Sequence, residues 1–414
     1  LGIGDWAFEE ASAFGVRRFL TGAFRMGELS KLGIVAIGRN EGERFVRCVE
    51  SLVREAPGCT VIYVDSGSTD GSVEFARARG VEVVQLDMSR PFTASRARNA
   101  GLERLIEIAP GVQFVQFIDG DCEVIAGWLE AGVAALAGDE SLAAVSGRLR
   151  ERFPERSIYN RLADIEWDRP VGEEKSCGGV AMMRVSRVRE VGGFDSGLIA
   201  GEEPELCSRM RERGGRIVRL AHDMAWHDLA MTTSAQWFKR ARRHGHAIIE
   251  VSYFKTKASR GLFAGQVRSS VLWGGGSVMA FSCAVFSLWP VFFLVVVLVA
   301  AIVARLAGIS ELPGWTRPAL LALMQMLDWL AARPFGAPLI ALTLCTLWYL
   351  QLTRVGFKQW RRRQLSLGDS LRYARLIMVS KEYQVRGMID FLWRQWRGKR
   401  AEVISYKEST APAA

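Results

Sequence analysis

Four short runs of apolar residues, GIVAI (33–37), TVIYV (60–64), VEVVQL (81–86) and VQFVQFI (112–118), are separated by amphipathic stretches at 43–54, 70–79 and 95–108. Runs of this length read as strands, and their lack of polar alternation means that both faces are buried. The stretches between them carry helical periodicity. Strand–helix–strand alternation of this kind specifies an α/β fold with a mostly parallel sheet and helices on both faces. Such sheets bind ligands beyond the carboxyl ends of their strands, so the residues just after each run are the first candidates for function.

The 414 residues exceed one compact module, and at ~150 residues per domain they suggest two or three parts. Seven cysteines form no Cys-x-x-Cys pair, which excludes a disulfide scaffold and most zinc modules. Lys and Arg number 54 against 44 Asp and Glu, a net charge of +10. Much of this surplus flanks an apolar region. Residues 269–304 and 334–353 contain no charged side chain, and a third apolar segment, 318–332, carries only Asp328. The first run fits either a tilted span or a tight hairpin near Trp289-Pro290, so two to four transmembrane helices are expected within 256–356. Lys239, Arg240, Arg242, Arg243, Lys255, Lys257, Arg260 and Arg268 precede this region, and Arg354, Lys358 and Arg361 to Arg363 follow it. The positive-inside rule then places both ends on the cytoplasmic side of an inner, cytoplasmic membrane. Residues 357–414 interleave Trp360, Trp393 and Trp396 with arginines, the pattern of a basic amphipathic tail on an anionic surface rather than of a nucleic-acid binder. Residues 1–30, with Arg17, Arg18 and Arg25, read as a helical extension without signal-peptide character, and 31–255 as the α/β domain.

Three motifs follow the strands. Asp65-Ser66-Gly67-Ser68-Thr69-Asp70-Gly71-Ser72 ends the second run; a carboxylate there can meet a base or ribose edge, or simply cap the next helix. Asp119-Gly120-Asp121 ends the fourth. Two carboxylates one residue apart are costly to leave unneutralised, and a hard divalent cation shared with substrate phosphates resolves that cost, although Asp-Gly-Asp is also turn chemistry. Gly201-Glu202-Glu203-Pro204-Glu205 opens a further helix, where acidic residues complement the helix dipole.

The ordered set, with Arg39-Asn40-Glu41, Arg96-Ala97-Arg98-Asn99-Ala100-Gly101 and Gly192-Gly193-Phe194-Asp195, resembles the inverting family 2 glycosyltransferases with their nucleotide-sugar-binding A-type fold, over about 33–246. The apolar region and basic tail resemble the membrane-anchored members that build exopolysaccharide or lipid-linked glycans. The resemblance implies a nucleotide-diphosphate sugar donor, a divalent metal (Mg2+ or Mn2+), a membrane-associated or polyprenyl-linked glycan acceptor and contact with other polysaccharide-assembly proteins. Asp65, Ser66, Arg98 and Asp119 would bind the donor, and Asp121, Asp119 and His227 the metal. Glu203 stands where the family has an aspartate as catalytic base, with Glu202 as the fallback. Gln236, Trp237 and Arg240 are candidates for acceptor or diphosphate contact, although the Gln-x-x-Arg-Trp pattern of processive synthases is broken there. A processive synthase, a non-catalytic nucleotide-sugar-binding membrane scaffold and a nucleotidyltransferase are the alternative readings.

Overall fold

The structure, a computed structural model, describes residues 29–282, 336–363 and 365–398, with Gln325 alone between them. At its centre is a nine-stranded sheet. Strands β1 (Leu32–Gly38), β2 (Thr60–Asp65), β3 (Glu82–Gln85) and β4 (Phe114–Asp119) stand in the order β3-β2-β1-β4, all parallel. They are the four apolar runs, joined by α1 (Glu43–Glu55), α2 (Ser72–Ala78) and α3 (Ala94–Ile108). Along β1, Ile34 and Ala36 enter one core while Val35 and Ile37 enter the other. Burial on both faces is why these strands carry no polar alternation.

Beyond β4 come β5 (Cys122–Val124), α4 (Trp128–Gly138), β6 (Leu142–Glu151), α5 (Ile158–Trp167), β7 (Gly172–Glu173), β8 (Ala181–Arg184), α6 (Val185–Glu190), α7 (Glu202–Glu212) and β9 (Arg216–His227). Here the sheet changes character. β8 runs antiparallel to both β4 and β6, and β9 runs parallel to β6 but antiparallel to β5 and β7. The expected mostly parallel sheet is therefore mixed, with helices on both faces. Strands of two to four residues, such as β5, β7 and β8, carry too little pattern to announce their direction.

Close helix–sheet packing depends on glycine at Gly101. A Cβ there would collide with Val35 and come within 2.8 Å of Val64, so α3 can lie on the sheet only with hydrogen at this position. One polar side chain sits inside a central strand: Gln116 is fully buried, donates to the Phe117 carbonyl and accepts from Trp128 Nε1 at 2.8 Å. Its hydrogen bonds make that burial tolerable.

The C-terminal part is helical: α8 (Ser234–Ile249), a π-helical turn at Glu250–Phe254, α9 (Ala264–Ser270), a second such turn at Val271–Gly275, α10 (Gly336–Arg363) and α11 (Leu367–Trp396). α11 lies closely along α8. A Cβ on Gly245 or Gly387 would strike the backbone of Gln384 or Arg242, Trp237 Nε1 donates to Ser380 Oγ at 2.8 Å, and Phe238 stacks on Tyr383 at 4.4 Å. Residues 367–396, expected as a tail lying on a membrane surface, thus form a helix docked on α8 through small residues and aromatic rings. Among the described residues no helix is long and apolar enough to cross a membrane. The 269–304 run is described only as far as 282, and 318–332, apart from Gln325, and the 1–28 extension also lie outside the described residues.

Gly101→Ala is expected to destabilise the protein by about 1–3 kcal/mol through overpacking against Val35 and Val64. The urea midpoint measured for the two proteins checks this.

Candidate active site

The carboxyl ends of β1, β2 and β4 open into a cleft of about 730 Å³. Its floor is set by loops tied to each other. Asn40, in the left-handed region at φ 53°, donates its backbone N–H to Ser68 Oγ at 3.0 Å and accepts from Thr69 N at 2.8 Å. Asp70 accepts from Gly42 N at 2.9 Å. The β1–α1 and β2–α2 loops are thereby zipped across the strand ends.

Asp65 shapes the second of these loops. It is 2% exposed, and its carboxylate accepts from Gly67 N, Ser68 N and Tyr63 Oη. Gly67 takes φ 84°, which L side chains rarely adopt. Ser66 lines the cleft; Asp65 itself does not.

At the centre of the wall is Arg98, on α3 and 2% exposed. Its Nη2 lies 2.9 Å from Asp119 Oδ1 at the end of β4, and its Nη1 lies 2.9 Å from Glu202 Oε1 and 3.0 Å from Glu203 Oε1 at the start of α7. Burial alone would pull Arg98 down, but Glu203, Asp119 and Glu202 more than reverse this and hold it protonated. Gly179 approaches so closely that a Cβ would sit 2.6 Å from Arg98 Nη2. The Cys-Gly-Gly sequence at 177–179 is the sequence signal of this approach, and Gly179 is not among the site residues expected from the motifs.

Burial and the neighbouring Glu202 push Glu203 up to about 7, against the opposing pull of Arg98. Its side chain is 13% exposed and lines the cleft together with those of Glu202 and Asp119. The motif residues Arg98, Asp119, Glu202 and Glu203 thus converge. Arg39, Arg44 and Arg243, not singled out as site residues from the sequence, line the same cleft.

Asp121 and His227 come together where the start of β5 meets the end of β9. Asp121 Oδ2 lies 3.1 Å from His227 Nε2, on the paired ends of β5 and β9. With Cys122 they form, among the described residues, a buried group whose candidate ligand atoms lie within 4.8 Å of one another. A carboxylate withdrawn from water needs a positive partner, and an oxygen–nitrogen donor pair suits a divalent ion such as Mn2+. Asp121 and His227 fit such an ion, whereas the third expected ligand, Asp119, is committed to Arg98 at the cleft wall.

Of the three acceptor candidates, Arg240 alone lines the cleft, where it also pairs with Glu166 at 3.2 Å. Gln236 is occupied in the capping box with Thr233, and Trp237 is buried against α11. The sequence could not separate them because they are neighbours on one helix and differ only in which way they face.

Residues 34–180 match the family model of glycosyl transferase family 2, and residues 161–233 that of the N-terminal domain of galactosyltransferase. Residues 34–180 are therefore similar to the glycosyltransferase family 2 domain. It is 26% identical over 196 residues to "Glycosyltransferase AglE" of Haloferax volcanii, a match covering 45% of this chain and 62% of that protein. It is 30% identical over 204 residues to "Pre-mycofactocin glycosyltransferase" of Mycobacterium tuberculosis, covering 45% of this chain and 41% of that protein. The chain therefore spans less than two thirds of either relative. Its fold is similar to that of a mannosyltransferase, PcManGT from Pyrobaculum calidifontis, solved with GDP-Man and Mn2+, with a TM-score of 0.50 at 15% identity over 88% of each chain.

Arg98→Met would leave three carboxylates without their shared cation, and a loss of about 3–5 kcal/mol is expected. Glu203 ionises near 7 when folded against 4.5 as its ordinary value, so protons are held in the folded state across that window. The loss should accordingly be smaller at pH 5, where protonation relieves the repulsion, and fullest at pH 8. Denaturation curves at the two pH values check the direction.

Proposed function

We propose that the protein is a membrane-associated inverting glycosyltransferase that moves a sugar from a nucleotide-diphosphate donor to a membrane-proximal or lipid-linked glycan in polysaccharide assembly. The observation that carries this reading is Glu203: a carboxylate in the cleft wall, oriented by Arg98 and pushed up to about 7, where a general base works best near neutrality. Its side chain is also the more open of the pair, 13% exposed against 7% for Glu202, which favours it as the base.

Glu203 takes the proton from an acceptor hydroxyl as that oxygen attacks the anomeric carbon opposite the leaving diphosphate. A single displacement needs one base and inverts the configuration. Arg98 holds Glu203 and Glu202 at fixed distances, so the base needs no search for its position. Ser66 and Asp119 face the donor, while Asp65 keeps the turn that presents Ser66. Arg39, Arg240 and Arg243 supply positive charge along the cleft for the diphosphate. A divalent cation bound by Asp121 and His227 would supply Lewis-acid stabilisation of the leaving group.

Support for membrane association is the pair of uncharged runs at 269–304 and 334–353, together with the exposure of large apolar side chains at Leu272, Phe281, Leu342 and Leu350. On α8, Arg242 pairs with Asp390 of α11, and Arg243 donates to the Ile199 carbonyl at 3.0 Å. Placement of the domain on the cytoplasmic face of an inner membrane rests on the basic residues flanking the apolar region.

Membranes containing the protein, incubated with a panel of nucleotide sugars, should release nucleotide diphosphate with one of them. Glu203→Gln should lower kcat/KM by about 10²–10⁴-fold while donor binding persists. The wild-type kcat/KM should rise with pH through about 7, as Glu203 loses its proton. A Glu203→Gln enzyme of near wild-type rate would remove Glu203 as the base. Separately, Asp121→Ala or chelation by EDTA should abolish Mn2+ binding, measured by isothermal titration, along with transfer.

A further inference from the structure

A second cavity, of about 440 Å³, shares no lining residue with the cleft. An irregularity in the sheet builds it. In the β6–β9 ladder Ser146 pairs with Arg219 and Arg148 with Asp223, so two residues of β6 span four of β9 and the extra residues bulge outward. Gly147 makes this possible, because a Cβ there would lie 2.7 Å from the His222 carbonyl oxygen.

The bulge leaves Arg219 in the cavity wall at 2% exposure. Its Nη1 donates to the Trp167 carbonyl at 2.9 Å, its Nε has no hydrogen-bond partner, and no carboxylate among the described residues lies within ion-pair distance. The acids nearby are already engaged: Glu174 with Arg169 at 3.1 Å, Asp223 with Arg150 at 3.1 Å, and Asp168 near Arg148 at 3.8 Å. Arg148 and Arg169 line the same cavity, and so do Asp168 and Asp223, which leaves Arg219 as the cation of the lining that no carboxylate pairs. Burial, and then the charge of Arg169, pull Arg219 down from its ordinary value. Glu174 and Asp168 offset this only in part; a buried cation with no carboxylate in direct contact is expensive, and here it faces a cavity large enough to admit a ligand.

We propose that this cavity is an oxyanion-binding site, in which Arg219, Arg148 and Arg169 take a phosphate or carboxylate group. The chemistry suits either free phosphate or an acidic sugar of a glycan. Trp167, whose carbonyl accepts from Arg219, also sets its ring edge-on to His227 at 4.9 Å.

The full chain, in detergent, would be titrated calorimetrically with inorganic phosphate, glucuronate and glucose. Saturable binding of phosphate or glucuronate but not glucose is expected. Preference for phosphate would identify the free ion, and preference for glucuronate an acidic glycan. Arg148→Gln/Arg169→Gln, at partly exposed positions that should tolerate the change, should weaken binding at least about tenfold, while Arg79→Gln, an exposed change outside both cavities, leaves it intact. Arg219→Met provides a second measurement: its melting temperature should equal or exceed that of the wild type in anion-free buffer and fall below it at saturating phosphate. Absence of anion binding, or binding unchanged in the Arg148→Gln/Arg169→Gln variant, would overturn the proposal whatever the transfer assays of the cleft show.

Discussion

A single buried guanidinium joins three segments that lie far apart in the chain. Arg98 reaches from α3 to Asp119 at the end of β4 and to Glu202 and Glu203 at the start of α7. Each partner alone would be a poor candidate for burial. The three carboxylates exceed the one positive charge, so the group as a whole retains affinity for protons, and Glu203 expresses it. Stability and the proposed chemistry are therefore linked: the arginine that makes the acidic cluster tolerable also fixes the orientation of the base.

The sheet determines why this cluster forms where it does. β1 and β4 run parallel and neighbouring, so their carboxyl ends deliver Arg39 and Asp119 to one edge. The reversal at β8 then lets Gly179, just before that strand, come back over the same edge. Gly179 serves this arrangement, because a Cβ there would lie 2.6 Å from Arg98 Nη2 and 3.0 Å from Glu203 Oε1 and the charged groups would have to shift.

The C-terminal helix contributes at one remove. α11 grips α8 through Gly245, Gly387 and Trp237, and α8 in turn carries Arg240 and Arg243 into the cleft. Residues 367–396 thus belong mechanically to the domain that precedes the apolar region. The four parallel strands, the first three helices and the acidic motifs are legible in the sequence, because apolar runs and turn residues report local structure directly. The short strands β5, β7 and β8 were not, and neither was the docking of α11.

What the sequence determined by itself, then, is which residues end each strand and open each helix, since periodicity and turn chemistry are local properties. The tertiary structure alone decided which of those residues meet. It separated Asp65, whose carboxylate is used within its own turn, from Ser66 in the cleft. It paired Asp121 with His227 across the β5–β9 ladder and drew Asp119 away to Arg98. These outcomes depend on strand order and on the direction each side chain faces, and both are settled only when distant segments pack together.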